Sequence, residues 1–248
     1  MDKKYYSLLS FMKALLILTA AFAMINVSSC GKPDNSIWIS AIGQANVDLI
    51  SDSIVEVDKE LKADNQSYTI ESALSDDHLA LILISADAEI DTSVFFRLQS
   101  ETKDFTGTDI EMISADSETD DRYYYCMKAV SETVVKEAYL QVISAEESVM
   151  RDDSIARISF QPIQSYYLNT EQGVSITISP MSVWAEEPAQ KETGADPDLI
   201  AVLKDGSEIR IQLLGESGKY FAMMPDFLDL ENVSACVPQR RDSGWAMK

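Results

Sequence analysis

Six consecutive apolar residues, Leu79 to Ile84, most narrow what this chain can fold into. The run is too short for a helix with its own buried stripe, and it suits a central strand buried on both faces. The segment before it alternates. Tyr68, Ile70, Ser72 and Leu74 point one way and Thr69, Glu71 and Ala73 the other, and the turn Ser75-Asp76-Asp77-His78 joins the two pieces. Further strands are predicted at Val94–Gln99, Ile110–Ser114, Arg122–Val130, Ala138–Ile143 and Ile155–Gln161. Short β runs at this spacing, with turn residues between them, predict an all-β sandwich. Upstream, Ile50, Ile54, Val57 and Leu61 recur at helical spacing while Val55 and Val57 alternate with acidic residues; the reading favours a strand near Ser53–Lys59. No stretch after residue 65 sustains an amphipathic helix.

A second β unit is expected from about residue 165. Val174, Ile176 and Ile178 alternate with polar residues up to Pro180, and Met181 to Trp184 continues beyond the kink. Leu199–Lys204 and Ser207–Leu214 flank Asp205-Gly206, a pair suited to a tight turn with φ > 0 at both central positions. Lys219–Met224 and Asn232–Val237 complete the set. In the first unit, Asp120-Asp121-Arg122-Tyr123-Tyr124-Tyr125-Cys126 places Tyr124 two residues before a cysteine and Asp120 six before it. That spacing resembles strand F of immunoglobulin-like domains, where a tyrosine hydroxyl ties the E–F corner to the backbone; an ordinary Tyr-rich strand gives the same letters. The expected fold class is all-β: an immunoglobulin-like β-sandwich over residues 46–164 and a smaller β domain over 165–240, with a tail at 241–248.

The beginning of the chain has a different grammar. Lys3, Lys4 and Lys13 precede an apolar run from Ala14 to Ile25, and Val27-Ser28-Ser29-Cys30 follows. Twelve residues are too few to cross a hydrocarbon core of about 30 Å as a helix. The pattern reads as a lipoprotein signal at 1–29, cleaved before Cys30, whose thiol takes the lipid. An uncleaved signal anchor, with Cys30 incidental, is the alternative. Residues 30–45, with Pro33 and Gly43 around Ile37-Trp38-Ile39, are expected to be a tether in which the apolar patch forms a short docked strand.

Charge excludes some partners. The first 29 residues hold three Lys and one Asp, which leaves 17 basic and 40 acidic residues and a net charge of −23. Such a surface repels nucleic acid and anionic headgroups. Beyond Cys30 the cysteines are Cys126 and Cys236, too few for a disulfide scaffold; two buried free thiols are preferred to a single bridge.

The order of these pieces resembles the extracytoplasmic half of anti-sigma-factor-like membrane proteins of Gram-positive bacteria. The resemblance is carried by Tyr68 to Leu79, Val174-Ser-Ile-Thr-Ile-Ser-Pro-Met181, Leu203-Lys-Asp-Gly-Ser207 and Asp229-Leu-Glu-Asn-Val-Ser234. It implies an immunoglobulin-like domain paired with a C-terminal β domain outside the cell. Only about thirteen residues precede the apolar core and a lipobox follows it, so an external sensing or binding role is expected rather than capture of a sigma factor.

Catalytic chemistry has few carriers. His78 is the sole histidine, so any Ser-His-Asp or Cys-His set depends on it, and a zinc site lacks its ligands. Asp116, Glu118, Asp120 and Asp121 place four carboxylates in one loop, as a hard cation requires, but without the EF-hand order; a solvated acidic turn explains the same residues and is preferred to a metal site. The expectation is a non-enzymatic, cofactor-free binding or sensing lipoprotein. Its partners would be the cell membrane, through the Cys30 lipid, and an envelope protein or cell-wall component, with no nucleic acid. A passive spacer, or a hydrolase using paired carboxylates, are the alternatives.

Overall fold

A computed structural model of the 248-residue chain describes residues 35–100, 105–113, 122–134, 136–145, 151–170, 173–187 and 197–240. From Asn35 onward the chain is one compact unit. It opens with α1 (Ser36–Ile42) and α2 (Gln44–Ile50), separated by Gly43 at φ 88°. Then come β1 (Val55–Ala63), β2 (Gln66–Ser75), β3 (Leu79–Ala86), β4 (Val94–Gln99), β5 (Thr106–Ile113), β6 (Tyr123–Val130), β7 (Glu137–Ser144) and β8 (Ile155–Ser159). The remaining strands are β9 (Tyr166–Asn169), β10 (Ser175–Ile178), β11 (Ser182–Glu186), β12 (Pro197–Leu203), β13 (Glu208–Gln212), β14 (Leu214–Glu216), β15 (Lys219–Met223) and β16 (Val233–Arg240). The fold is all-β, with four antiparallel sheets.

The first sandwich sets the sheet β1-β2-β3-β6-β5 against β4-β7-β8. Alternate residues of both sheets meet in one core, including Tyr68, Ile82, Ile84 and Met127 from one and Leu98, Leu140 and Ile158 from the other. The order β2-β3-β6-β5 over β4-β7-β8 is the immunoglobulin arrangement ABED over CFG, with β1 added outside. This corrects the reading of Tyr124. Its strand, β6, pairs with β3 and β5 and so holds the E place, whereas the F place belongs to β7 with Tyr139. The tyrosine-corner spacing is therefore coincidental, and Asp120 lies outside the described residues.

The continuous apolar run behaves as its composition requires. Ala80, Ile82 and Ile84 enter the sandwich core, while Leu79, Leu81 and Leu83 enter a second cluster on the outer face of the same sheet. That cluster contains Trp38 of α1, Val47 and Ile50 of α2, and Met181, with Phe221 and Met223 of β15 against it. Strict alternation fails in β2. The register slips between Ile70 and Ser72, leaving Glu71 as an extra residue, so Ile70 and Ala73 share the core while Leu74 turns to the outer cluster.

Two further expectations are overturned upstream. Ile37-Trp38-Ile39 is helical, not a strand, and Trp38 is 1% exposed with its Nε1 donating to Ser72 Oγ at 2.7 Å. A residue so enclosed belongs to the folded body, so residues 36–45 are not tether.

The second sandwich sets β14-β15-β11-β10-β9 against β13-β12-β16 around Ile176, Val183, Leu199, Ala201 and Leu213. Its strands repeat the order of the first. β9, β10, β11, β15 and β14 stand where β1, β2, β3, β6 and β5 stand, and the pair β12–β16 stands where β4–β7 stands. The β12–β13 turn also differs from expectation. Of its two central residues only Gly206 has positive φ, at 84°; Gly206 N donates to Leu203 O and Leu203 N to Ser207 O. This is a three-residue loop ending in a left-handed glycine, and Asp205 contributes through its carboxylate, which accepts from Ser207 N at 2.9 Å and Ser207 Oγ at 2.6 Å.

Candidate functional site

The sequence singles out the acidic turn between β2 and β3, and the structure makes it the joint between the sandwiches. Asp76 Oδ1 accepts from the amides of His78 at 2.8 Å and Leu79 at 2.6 Å, while Oδ2 accepts from the hydroxyls of Ser182, at 2.7 Å, and Ser179. Burial pushes the Asp76 carboxyl above the usual range, against the pull of these four donors. Asp77 accepts from the hydroxyl of Tyr167, which holds that phenol up at about 12. His78 is buried, stacked on Trp184 with centroids 4.8 Å apart, and its Nδ1 lies 3.0 Å from the carbonyl of Ser131. A backbone carbonyl can only accept, so Nδ1 carries the proton and the ring serves as packing. The turn is a structural weld.

Around it, Ile163 N donates to Ser75 O at 2.8 Å and Lys219 Nζ meets Glu132 Oε2 at 2.5 Å. Asn46 of α2 closes the other side, donating to Pro225 O at 3.1 Å and accepting from Phe227 N at 2.8 Å.

The remaining candidates separate. Cys30, Asp116, Glu118, Asp120 and Asp121 lie outside the described residues. Among the described residues, no three His, Cys, Asp or Glu side chains gather as a metal site would need. Cys126 and Cys236 are both free. Burial holds the Cys126 thiol up at about 11 and raises Cys236 as well, so both are thiols rather than thiolate nucleophiles at neutral pH.

A concave site lies elsewhere, at the open side of the second sandwich. A cleft of about 380 Å³ is lined by Tyr166 and Leu168 of β9, Ile178 of β10, Leu230, and Val233 to Cys236 of β16, with Lys204 and Glu231 at its charged positions. β9 pairs Tyr166 with Ile178 and Leu168 with Ile176, which are core residues, so Tyr166 and Leu168 continue the inner face of their sheet. They are 51% and 39% exposed because the opposing sheet ends at β16. Nothing in the sequence reading marked this site. β9 alternates over only four residues, and that two edge strands flank one gap is a property of the tertiary fold.

No family model matches the chain, and no curated protein matches it. Among solved structures, the chain is similar to a conserved domain protein from Bacillus anthracis at 13% identity and a TM-score of 0.43, over 75% of this chain and 76% of that one. That description names no activity. Among the described residues, no helix is long and apolar enough to cross a membrane.

Proposed function

We propose that the chain is a lipid-anchored extracytoplasmic binding protein, tethered through Cys30, whose binding site is the cleft under Tyr166 and Leu168. One observation carries the reading: inward-facing apolar side chains that a sandwich would normally cover line an open cavity of about 380 Å³ instead. That volume falls in the range of ligand sites, roughly 300–1,000 Å³. Elsewhere in the molecule the buried Asp76 turn ties the second sandwich to the first, which suits a receptor of fixed shape. The address comes from the sequence alone, through the lipobox before Cys30. A single acyl chain holds a protein only marginally, so firm retention needs the several chains of a mature lipoprotein. Detergent partitioning of wild type and Cys30→Ser, with intact mass, tests the anchor. The expected outcome is a lipid-bearing wild type in the detergent phase and a Cys30→Ser variant in the aqueous phase; an unlipidated wild type in the aqueous phase contradicts it.

A further inference from the structure

The shared strand order of the two sandwiches says what is missing from the second. In the first, β7 has a neighbour on each side, β4 and β8. Its counterpart β16 has a neighbour only on the β12 side, and among the described residues no strand pairs with its outer edge. The consequence is visible on the facing sheet. β1 lies against β7 and β8, and its inward residues Leu61 and Ala63 are each 1% exposed. β9 holds the matching place, and its inward residues Tyr166 and Leu168 stand open over the cleft. Among the described residues the cleft is thus the open place of one strand, bounded by the outer edge of β16 on one side and an apolar floor on the other.

We propose that the edge of β16 takes up an extended, cationic segment of another polypeptide, which supplies the strand that β8 supplies in the first sandwich. The proposal rests on the cleft being the binding site. Backbone hydrogen bonds to an edge strand give such binding its affinity, and pockets for alternate side chains give its specificity. β8 shows what the position asks for: Ala156 and Ile158 point inward and are buried, while Arg157 between them and Ser159 after them are exposed. The segment therefore carries apolar residues at alternate positions, set against Tyr166, Leu168 and Cys236. Its usable length is short, since Pro238 lacks an amide and interrupts the free edge after Val237. Charge selects the sign of what surrounds those apolar residues. The chain carries a net −21, so a second copy is repelled and a cationic segment attracted.

The test uses the full chain in detergent and the labelled peptide Lys-Lys-Val-Thr-Val-Thr-Val-Lys-Lys, read by fluorescence anisotropy and amide hydrogen exchange. Saturable binding is expected, weakened at least tenfold by Tyr166→Ala, by methylation of alternate peptide nitrogens, and by replacing the lysines with glutamates. New amide protection is expected in residues 233–237. Tyr166 is half-exposed, so its truncation leaves the fold intact. Binding that responds to Tyr166→Ala but not to peptide N-methylation overturns strand addition and leaves the cleft standing. No binding up to about 1 mM, or binding indifferent to Tyr166→Ala, overturns both. Protection of residues 233–237 without peptide assigns the edge to a second copy if it depends on protein concentration, or to residues 241–248 if it does not; either overturns the proposal.

Discussion

Asp76 shows how one buried carboxyl can hold two sandwiches together. Four donors from two places in the chain converge on it, and each donor stranded by Asp76→Ala costs about 1–3 kcal/mol in desolvation alone. Its titration adds a pH dependence of definite sign. The folded carboxyl titrates above its unfolded value near 3.9, so within that window the native state binds more protons than the unfolded state. Its contribution is complete at low pH and is lost as pH rises through the folded value. Asp76→Asn keeps an acceptor and cannot titrate. Urea midpoints at several pH values between about 4.5 and 7.5 should shift in favour of Asp76→Asn, relative to wild type, as pH rises. A difference that stays constant across the range would show that Asp76 does not titrate there.

At the scale of elements, what was legible followed from side-chain period, and what was not followed from tertiary context. Val94–Gln99 is a strand because its residues are bounded by turns, and Leu79–Ile84 is a strand buried on both faces because it has no polar residue to turn outward. The bulge at Glu71 was hidden, since an inserted residue leaves the letters alternating while the faces exchange. The helical start was hidden for another reason. Ile37-Trp38-Ile39 is too short for periodicity to decide, and it is the outer face of β3 that gives Trp38 a place to be buried. Trp38→Ala should therefore cost about 3–5 kcal/mol in chemical denaturation. A near-neutral effect would return residues 36–45 to the tether. Asp205 and Gly206 were legible as a turn but not as its type. With Gly206 at φ 84°, Gly206→Ala should cost about 1 kcal/mol, whereas no such strain applies at Asp205.

For the whole molecule, the joint through Asp76, Asp77, Asn46 and Lys219 makes one body of two repeated sandwiches. Calorimetry should accordingly show one cooperative transition rather than two. Lipid on Cys30 would hold that body close. Five residue steps from Cys30 to Asn35 span at most about 17 Å when extended. The candidate cleft was invisible in the sequence because it is an absence: among the described residues, a strand is present beside β7 and none beside β16. The most direct test of the account places a photocrosslinking amino acid at residue 166 in living cells, with a control at Ile209, which is 37% exposed on another strand of the same sandwich. The account predicts an adduct from residue 166 alone, joined to a second kind of polypeptide through a cationic segment with alternating apolar residues. Identical adducts from both positions, or adducts from residue 166 only to this chain itself, would contradict it.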